Sequence, residues 1–306
     1  VTHFSSLDNL SLKDAWLTVG VFDGVHLGHR ALLRRLLDGA RAAGSPAVVI
    51  TFDPHPAVVL GNRTEFQYLT PPAERAALLA SLGVDVVITQ TFDRAFAAQT
   101  AEEFVRLAAR TLGLRRLVIG YDTALGRGRE GNAARLTEIG KALGYTVEVV
   151  EAVQQEGRII SSSAIRQQVR EGAVAEAAKA LGRPYSLSGP VIHGDGRGRH
   201  INIPTANIQA APEKLIPANG IYAAWAWVGG ERFAAATNIG VNPTFTPDKT
   251  APTVEAHLLD FDRSLYGQEV KLEFVARLRD EMRFSSVEAL LKQIYADIAR
   301  VRETLA

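Results

Sequence analysis

Two textures of apolar patterning divide the chain. In the first part, continuous apolar runs alternate with segments whose apolar residues recur at helical spacing. WLTVGVF (16–22), AVVITF (47–52), VDVVITQTF (84–92), RRLVIG (115–120) and YTVEVVEAV (145–153) read as strands. HRALLRRLLDGARAAG (29–44), PPAERAALLASLG (71–83), AEEFVRLAARTLG (101–113) and NAARLTEIGKALG (132–144) read as helices. Thr100 and Glu103 stand at capping-box spacing for the third helix. This alternation predicts a Rossmann-like α/β unit, a parallel sheet with helices on both faces.

After Ser163 come two short helical stretches that end near Gly182, and then the texture changes. LSGPVIH, GIYAAWAWV, ERFAAATNIG, TVEAHLLDF and EVKLEFVARL are short extended pieces punctuated by Gly, Pro and Asn. They predict an antiparallel β-barrel domain, closed by an amphipathic helix over 285–306. The expected domains are 1–182 and 183–306.

Composition narrows the function classes. The chain has 306 residues, 47% hydrophobic and 22% charged, as expected of folded globular domains. Its 34 basic and 33 acidic residues leave a net charge of +1. No global field then draws it to nucleic acid or to an anionic membrane, and phosphate binding has to be local. The absence of cysteine rules out thiolate chemistry and cysteine zinc sites. The N-terminal stretch VTHFSSLDNLSLKDAW has no apolar run of signal-peptide length and nothing in the chain approaches a membrane span, so a cytoplasmic protein is expected.

The strand WLTVGVFDG runs directly into VHLGHRALL. His26, Gly28 and His29 thus form an H-x-G-H pattern at a helix start. A helix N-terminus presents free N–H groups and positive partial charge, and residues three apart share a face. Two imidazoles can therefore address one phosphate chain, with Gly28 leaving room for it.

This stretch resembles the opening of the H-x-G-H nucleotidyltransferases, which attack the α-phosphate of a nucleoside triphosphate and release pyrophosphate. TFDPHP (51–56) and ISSSAIR (160–166) are similar to motifs of bifunctional bacterial riboflavin kinase/FAD synthetases. Ser163 stands where that family usually has Thr, which retains the hydroxyl. Ser162 and Ser163 suit a helix N-cap, and Arg166 suits a planar fork on phosphate. His55 either orders a loop over the nucleotide or sits in a rigid turn between Pro54 and Pro56.

GRGREG (126–131) matches the dinucleotide fingerprint G-x-G-x-x-G, which would imply an oxidoreductase. It follows the fourth predicted strand rather than the first, and YDTAL separates it from the strand end. The resemblance instead places GYDTALGRGREG at a loop bordering flavin and nucleotide, where Asp122 and Gly126 match. Thr123 and Leu125 replace two family phenylalanines.

In the second domain, Gly194, Gly196 and Gly198 alternate with Asp195, Arg197 and Arg199. Backbone N–H groups of such a loop can wrap a phosphate, although no Walker A pattern is present. INIPTANI (201–208) resembles the family's Gly-Phe-Pro-Thr-Ala-Asn segment, with Ile201 and Asn202 as departures. The hydroxyl of Thr205 and the amide oxygen of Asn207 are hard donors, and the resemblance implies that they hold Mg²⁺ against ATP. It also implies that Glu255 is the general base toward riboflavin and that Arg279 and Glu281 contact flavin. An extended segment points Glu255, His257 and Leu259 to one side.

Together these motifs imply two steps. Riboflavin takes the γ-phosphate of ATP to give FMN. The FMN phosphate then attacks the α-phosphate of a second ATP to give FAD and pyrophosphate. His26, His29 and Arg166 would stabilise the charge, and FMN and FAD would be substrate and product rather than prosthetic groups. The competing readings are another small-molecule nucleotidyltransferase with an unrelated β domain, and a flavin-binding regulator without catalysis.

Overall fold

The computed structural model describes residues 2–8, 10–61, 66–194, 203–240 and 252–306. They form two compact units, Val1–Ser162 and Ser163–Ala306.

The first unit is a parallel sheet. Its strands are β1 (Thr2–Phe4), β2 (Trp16–Val19), β3 (Ala47–Asp53), β4 (Val86–Thr91), β5 (Arg116–Gly120) and β6 (Thr146–Val150), in the order β1-β4-β3-β2-β5-β6. Side chains alternate between two buried layers. Leu17, Val48, Ile50, Ile88, Leu117 and Ile119 pack with Phe104, Ala108 and Leu136 on one face. Trp16, Val49, Val87 and Val118 pack with Leu33, Leu36 and Leu79 on the other. The helices covering these faces are α1 (Leu27–Ala42), α3 (Pro72–Ser81), α5 (Ala101–Leu112) and α6 (Ala133–Leu143), with the short α2 (Pro56–Leu60) and α4 (Arg94–Ala97) between them. The expected capping box at Thr100 and Glu103 is formed on both sides. β1 was not foreseen: it is a three-residue, largely exposed edge strand with no apolar run to mark it.

The chain leaves β2 toward β3 on one side and returns through β5 on the other. In such sheets ligands bind beyond the C-terminal strand ends at this point of reversal, here the ends of β2 and β5. The expected strand over 16–22 stops at Val19 because the backbone turns sharply there. Phe22, Gly24 and Val25 have φ of 54°, 81° and 41°. Positive φ is unfavourable for a bulky or β-branched residue, at roughly 1–3 kcal/mol each, and such strain collects at functional sites.

A two-strand ribbon, β7 (Gln154–Gln155) with β8 (Arg158–Ile159), precedes α7 (Ser162–Arg170) and α8 (Val174–Leu181). The second unit is built on a closed antiparallel barrel of β9 (Tyr185–Ile192), β10 (Ala206–Ile208), β11 (Gly220–Val228), β12 (Glu231–Gly240), β13 (Thr253–Leu258) and β14 (Glu269–Arg279). Its inward positions, among them Leu187, Tyr222, Ala224, Ala235, Ala256, Leu272 and Phe274, are buried. Closure removes unpaired sheet edges. The C-terminal helix α9 (Val287–Leu305) lies against β11, β12 and β14.

The pair α7–α8 belongs to this second unit, which starts ahead of the change in sequence texture at Gly182. α8 packs on β9 and β14, burying Val174, Ala177, Ala180 and Leu181.

Candidate active sites

In the first unit, the turn after β2 delivers His26 as the N-cap of α1, where its Nδ1 accepts from the His29 N–H at 3.3 Å. The two imidazoles are stacked, with centroids 3.6 Å apart. Phe22 meets the His29 ring edge-on at 5.1 Å. A Cβ on Gly28 would stand 3.0 Å from the His26 ring, so the glycine also makes room for the stacked pair. His29 Nδ1 is buried without a hydrogen-bond partner. Burial, then the neighbouring charges of His26 and Arg75, hold the His29 pKa well below its ordinary value. The site therefore presents a neutral imidazole at a positively polarised helix end.

Asp23 fixes this turn and was not recognised from the sequence. It is buried, accepting from the Leu69 N–H at 3.1 Å, the Thr70 N–H at 2.9 Å and the Thr70 hydroxyl at 3.2 Å. Thr70 Oγ1 in turn accepts from the Gly24 N–H at 2.8 Å. Ser162 Oγ donates to the Asp23 carbonyl at 2.9 Å. An Asp-Gly pair reads as an ordinary turn, so only its distant partners reveal a clasp. His55 Nδ1 accepts from the Ala57 N–H at 3.0 Å, and the His55 N–H donates to the Tyr68 hydroxyl at 2.8 Å. His55 thus caps α2 and orders its own turn.

The GRGREG glycines have local structural uses. A Cβ on Gly126 or Gly131 would overlap Ala101 at the start of α5, whereas Gly128 faces open space. Glu130 Oε1 accepts from the Ala101 N–H at 3.0 Å. Asp122 offers its carbonyl to Arg129 at 3.0 Å, and Thr123 Oγ1 accepts from the Gly120 N–H at 3.0 Å. Thr123 thus closes the end of β5, which a phenylalanine cannot do by hydrogen bonding. Leu125 packs against the sheet core.

In the second unit, register assembles the site. Asn207 on β10 is paired with Glu255 on β13, and Glu255 is paired with Asn238 on β12. Directly opposed residues on neighbouring strands share a face, so three polar side chains form one row. A Cβ on Gly194 would overlap the Asn207 amide, which brings the start of the glycine-basic loop onto this row. Gly196, Arg197 and Gly198 lie outside the described residues. The Thr253 hydroxyl lies 3.0 Å from the Gly240 carbonyl and 3.4 Å from Glu255 Oε1. Gly240 is packed against the Glu281 carboxylate, which also accepts from Asn219 Nδ2 at 3.1 Å. Glu281 and Glu255 are therefore linked through Gly240 and Thr253.

Thr205, just ahead of β10, lines a cavity of about 360 Å³ with Pro204, Ala206, Leu258, Phe261 and Tyr266. The His193 and Tyr266 rings stack with centroids 4.0 Å apart. His257 Nδ1 is 2.8 Å from the Pro204 carbonyl. Leu259 packs with Ala236, the residue directly opposite His257, and so keeps the expected face. β13 ends at Leu258, the Leu259 N–H donates to Ala234, and the side chain is buried beside Leu278 and Val301.

Arg279 makes a fork with Asp297 of α9, Nη2 to Oδ2 at 2.6 Å and Nε to Oδ1 at 3.0 Å, and Nη1 donates to the Asp280 carbonyl at 2.8 Å. Its guanidinium anchors the C-terminal helix beside Glu281. Arg166, on α7, directs Nη1 to Ser163 Oγ at 3.4 Å.

Comparison with known proteins assigns a family to each part of the chain. The family model for riboflavin kinase matches residues 181–305, and the model for FAD synthetase matches residues 8–164. A bifunctional riboflavin kinase/FMN adenylyltransferase of Listeria monocytogenes is 38% identical over 92% of this chain and 89% of its own length. One of Escherichia coli K12 is 37% identical over 94% of this chain and 91% of its own length. One of Bacillus subtilis is 35% identical over 97% of this chain and 94% of its own length. A crystal structure described as a macrolide-efflux protein of Streptococcus pneumoniae superposes with a TM-score of 0.89 at 32% identity, covering 98% of both chains. Among the described residues here, no helix is long and apolar enough to cross a membrane.

Proposed function

We propose a division of labour for this chain, which belongs to the family of bifunctional riboflavin kinase/FMN adenylyltransferases: the barrel makes FMN and the parallel-sheet unit turns FMN into FAD. The observation that carries the barrel assignment is the row Asn207–Glu255–Asn238, brought onto one face by strand register.

Glu255 accepts the proton of the terminal ribityl hydroxyl of riboflavin. The resulting oxygen nucleophile attacks the γ-phosphorus of ATP, and ADP leaves. Thr205 and Asn207 would hold Mg²⁺ through neutral hard oxygens, and the close packing of Gly194 on the Asn207 amide fits a built, oriented ligand. The metal ion would neutralise charge on the ATP phosphates. The Gly194–Gly198 loop, with Arg197, is assigned to those phosphates. Glu281, set against Gly240, borders the flavin, and Arg279 holds that edge in place through Asp297.

In the parallel-sheet unit, an FMN phosphate oxygen attacks the α-phosphorus of a second ATP and pyrophosphate leaves. The reaction is mostly a matter of positioning and electrostatic stabilisation. The N-terminus of α1, with His26, Gly28 and His29, receives the phosphates. Ser162, Ser163 and Arg166 are assigned to phosphate by their motif, and Asp122 to the flavin border.

Incubation of the pure protein with riboflavin, ATP and Mg²⁺, followed by chromatographic separation of the flavins, tests the whole reading. FMN should appear first and FAD after it, with pyrophosphate formed in step with FAD. FAD without an FMN intermediate, or FMN alone, would contradict it.

A further inference from the structure

Among the described residues, the hydroxyls of Thr51, Thr70 and Ser162 and the carboxylate of Asp23 hold the turn that leads into the H-x-G-H pattern. Thr51 Oγ1 donates to the Val21 carbonyl at 2.8 Å. Thr70 Oγ1 works in both directions, accepting from the Gly24 N–H at 2.8 Å and donating to Asp23 Oδ1 at 3.2 Å. Thr70, Asp23 and Gly24 are all buried. Gly24 stands between Phe22 and Val25, whose φ values are also positive. A buried N–H has to be paired, and positive φ at bulky residues persists only where the surroundings over-determine it. The segment that supplies Thr70 also reaches the end of the neighbouring strand, because the Tyr68 hydroxyl accepts from the His55 N–H at 2.8 Å. Immediately after Thr70 the chain enters α3, whose Ala76 and Leu79 are packed into the core layer of the sheet. Tyr68, Leu69 and Thr70 therefore brace the turns that follow the adjacent parallel strands β2 and β3.

We propose that Thr70 is a positioning residue for adenylyl transfer: its buried hydroxyl joins the Gly24 N–H to the Asp23 carboxylate and so fixes the turn that aims His26 and His29. It acts through the backbone of the turn rather than on the nucleotide. Two residues separate Gly24 from His26, the N-cap of α1, so a change in the Gly24 peptide is passed directly to the helix end. The donors there have to be in place before the reaction, since a preorganised site loses much of its effect when its groups are free to shift. Valine at position 70 would keep the β-branch and the shape. It would remove only the hydroxyl, leaving the Gly24 N–H without that acceptor and the Asp23 carboxylate with one donor fewer. The inference rests on the reading that FAD forms at the N-terminus of α1.

The test compares Thr70→Val, Thr70→Ser, Thr111→Val and His29→Ala, each as the full chain. It reads FMN-to-FAD conversion, riboflavin phosphorylation as the internal control, and amide hydrogen exchange at Gly24 by NMR. Thr70→Val should lower kcat for FAD formation roughly tenfold or more, speed exchange at Gly24 and leave riboflavin phosphorylation unchanged. Thr70→Ser, which keeps the hydroxyl, should recover most of the rate and the slow exchange. Thr111→Val removes a buried hydroxyl that donates to the Leu107 carbonyl within α5, away from the turn, and should keep the parental kcat even if it melts earlier. Parental kcat in folded Thr70→Val, or an equal loss in Thr111→Val, would overturn the inference while an inactive His29→Ala upheld the site. If Thr70→Val does not fold, Asp23→Asn decides in its place. It keeps the shape and gives up one of the two carboxylate acceptors, so kcat should again fall roughly tenfold or more, and a parental kcat would overturn the inference. FAD formation surviving in His29→Ala would instead remove the reading of the site itself.

Discussion

Asn207 stands directly opposite Glu255, one on β10 and the other on the neighbouring β13. The proposed metal ligand and the proposed base are thus fixed relative to each other by backbone hydrogen bonds rather than by loop conformation. Such placement holds reacting groups within the small tolerance that phosphoryl transfer requires.

Glu255→Gln should therefore cut FMN formation roughly a hundredfold or more, the usual loss for a general base. The substitution keeps the shape and leaves Asn207 and Thr205 in place. Calorimetric binding of ADP with Mg²⁺ should consequently match the parent.

Gly194→Ala should act differently. A Cβ there overlaps the Asn207 amide and forces it from its place beside Glu255. Weaker binding of ADP with Mg²⁺ is expected, with little change for ADP measured in EDTA. Equal weakening in both conditions would place the glycine's role outside metal binding.

Much of this arrangement is legible in the sequence, for reasons that differ by residue. The helices of the first unit follow from apolar spacing and from local signals such as Thr100 with Glu103, so they appear where expected. His26 and His29 are visible because strand, glycine and helix start are adjacent in the chain. Asp23 and Arg75 escape notice because their partners Leu69, Thr70 and Phe52 are distant in sequence, and a buried arginine within AERAALL looks like a solvated one. Alternation alone does not reveal that β13 ends at Leu258, after which Asp260 turns the chain with φ of 58°. The motif assigns Arg279 to the flavin, and its pairing with Asp297 becomes visible only once α9 is folded onto the barrel.

The held-neutral His29 predicts a pH dependence of stability. Its folded pKa lies below 6.5, while in the unfolded chain it titrates near that ordinary value. Between the two values the unfolded chain binds more protons, so unfolding free energy rises with pH and falls on acidification through that window. The melting temperature of the parallel-sheet unit should thus drop below about pH 6.5. His29→Asn should show a shallower drop, and an identical pH profile would contradict the assignment.

The packing of α7 and α8 bears on how the barrel can be isolated. Starting the chain at Arg183 removes Val174 and Leu181 from the barrel surface, at roughly 1.5 kcal/mol each, or about 3 kcal/mol together. It also removes the Gly172 turn packed against Arg277 and Tyr222. Fragments 163–306 and 183–306 should both form FMN but never FAD, with 163–306 the more resistant to urea. Equal midpoints would show that the helix pair adds nothing to the barrel.

The account stands most directly on the independence of its two sites. The decisive measurement is a crossed assay of His29→Ala and Glu255→Gln, each supplied in turn with riboflavin and with FMN, in ATP and Mg²⁺. His29→Ala should accumulate FMN from riboflavin and form no FAD from either flavin. Glu255→Gln should form almost no FMN from riboflavin yet convert supplied FMN to FAD at the parental rate. Mixing the two variants should restore FAD synthesis from riboflavin. Loss of both activities in either folded variant, or no restoration on mixing, would contradict the two-site account.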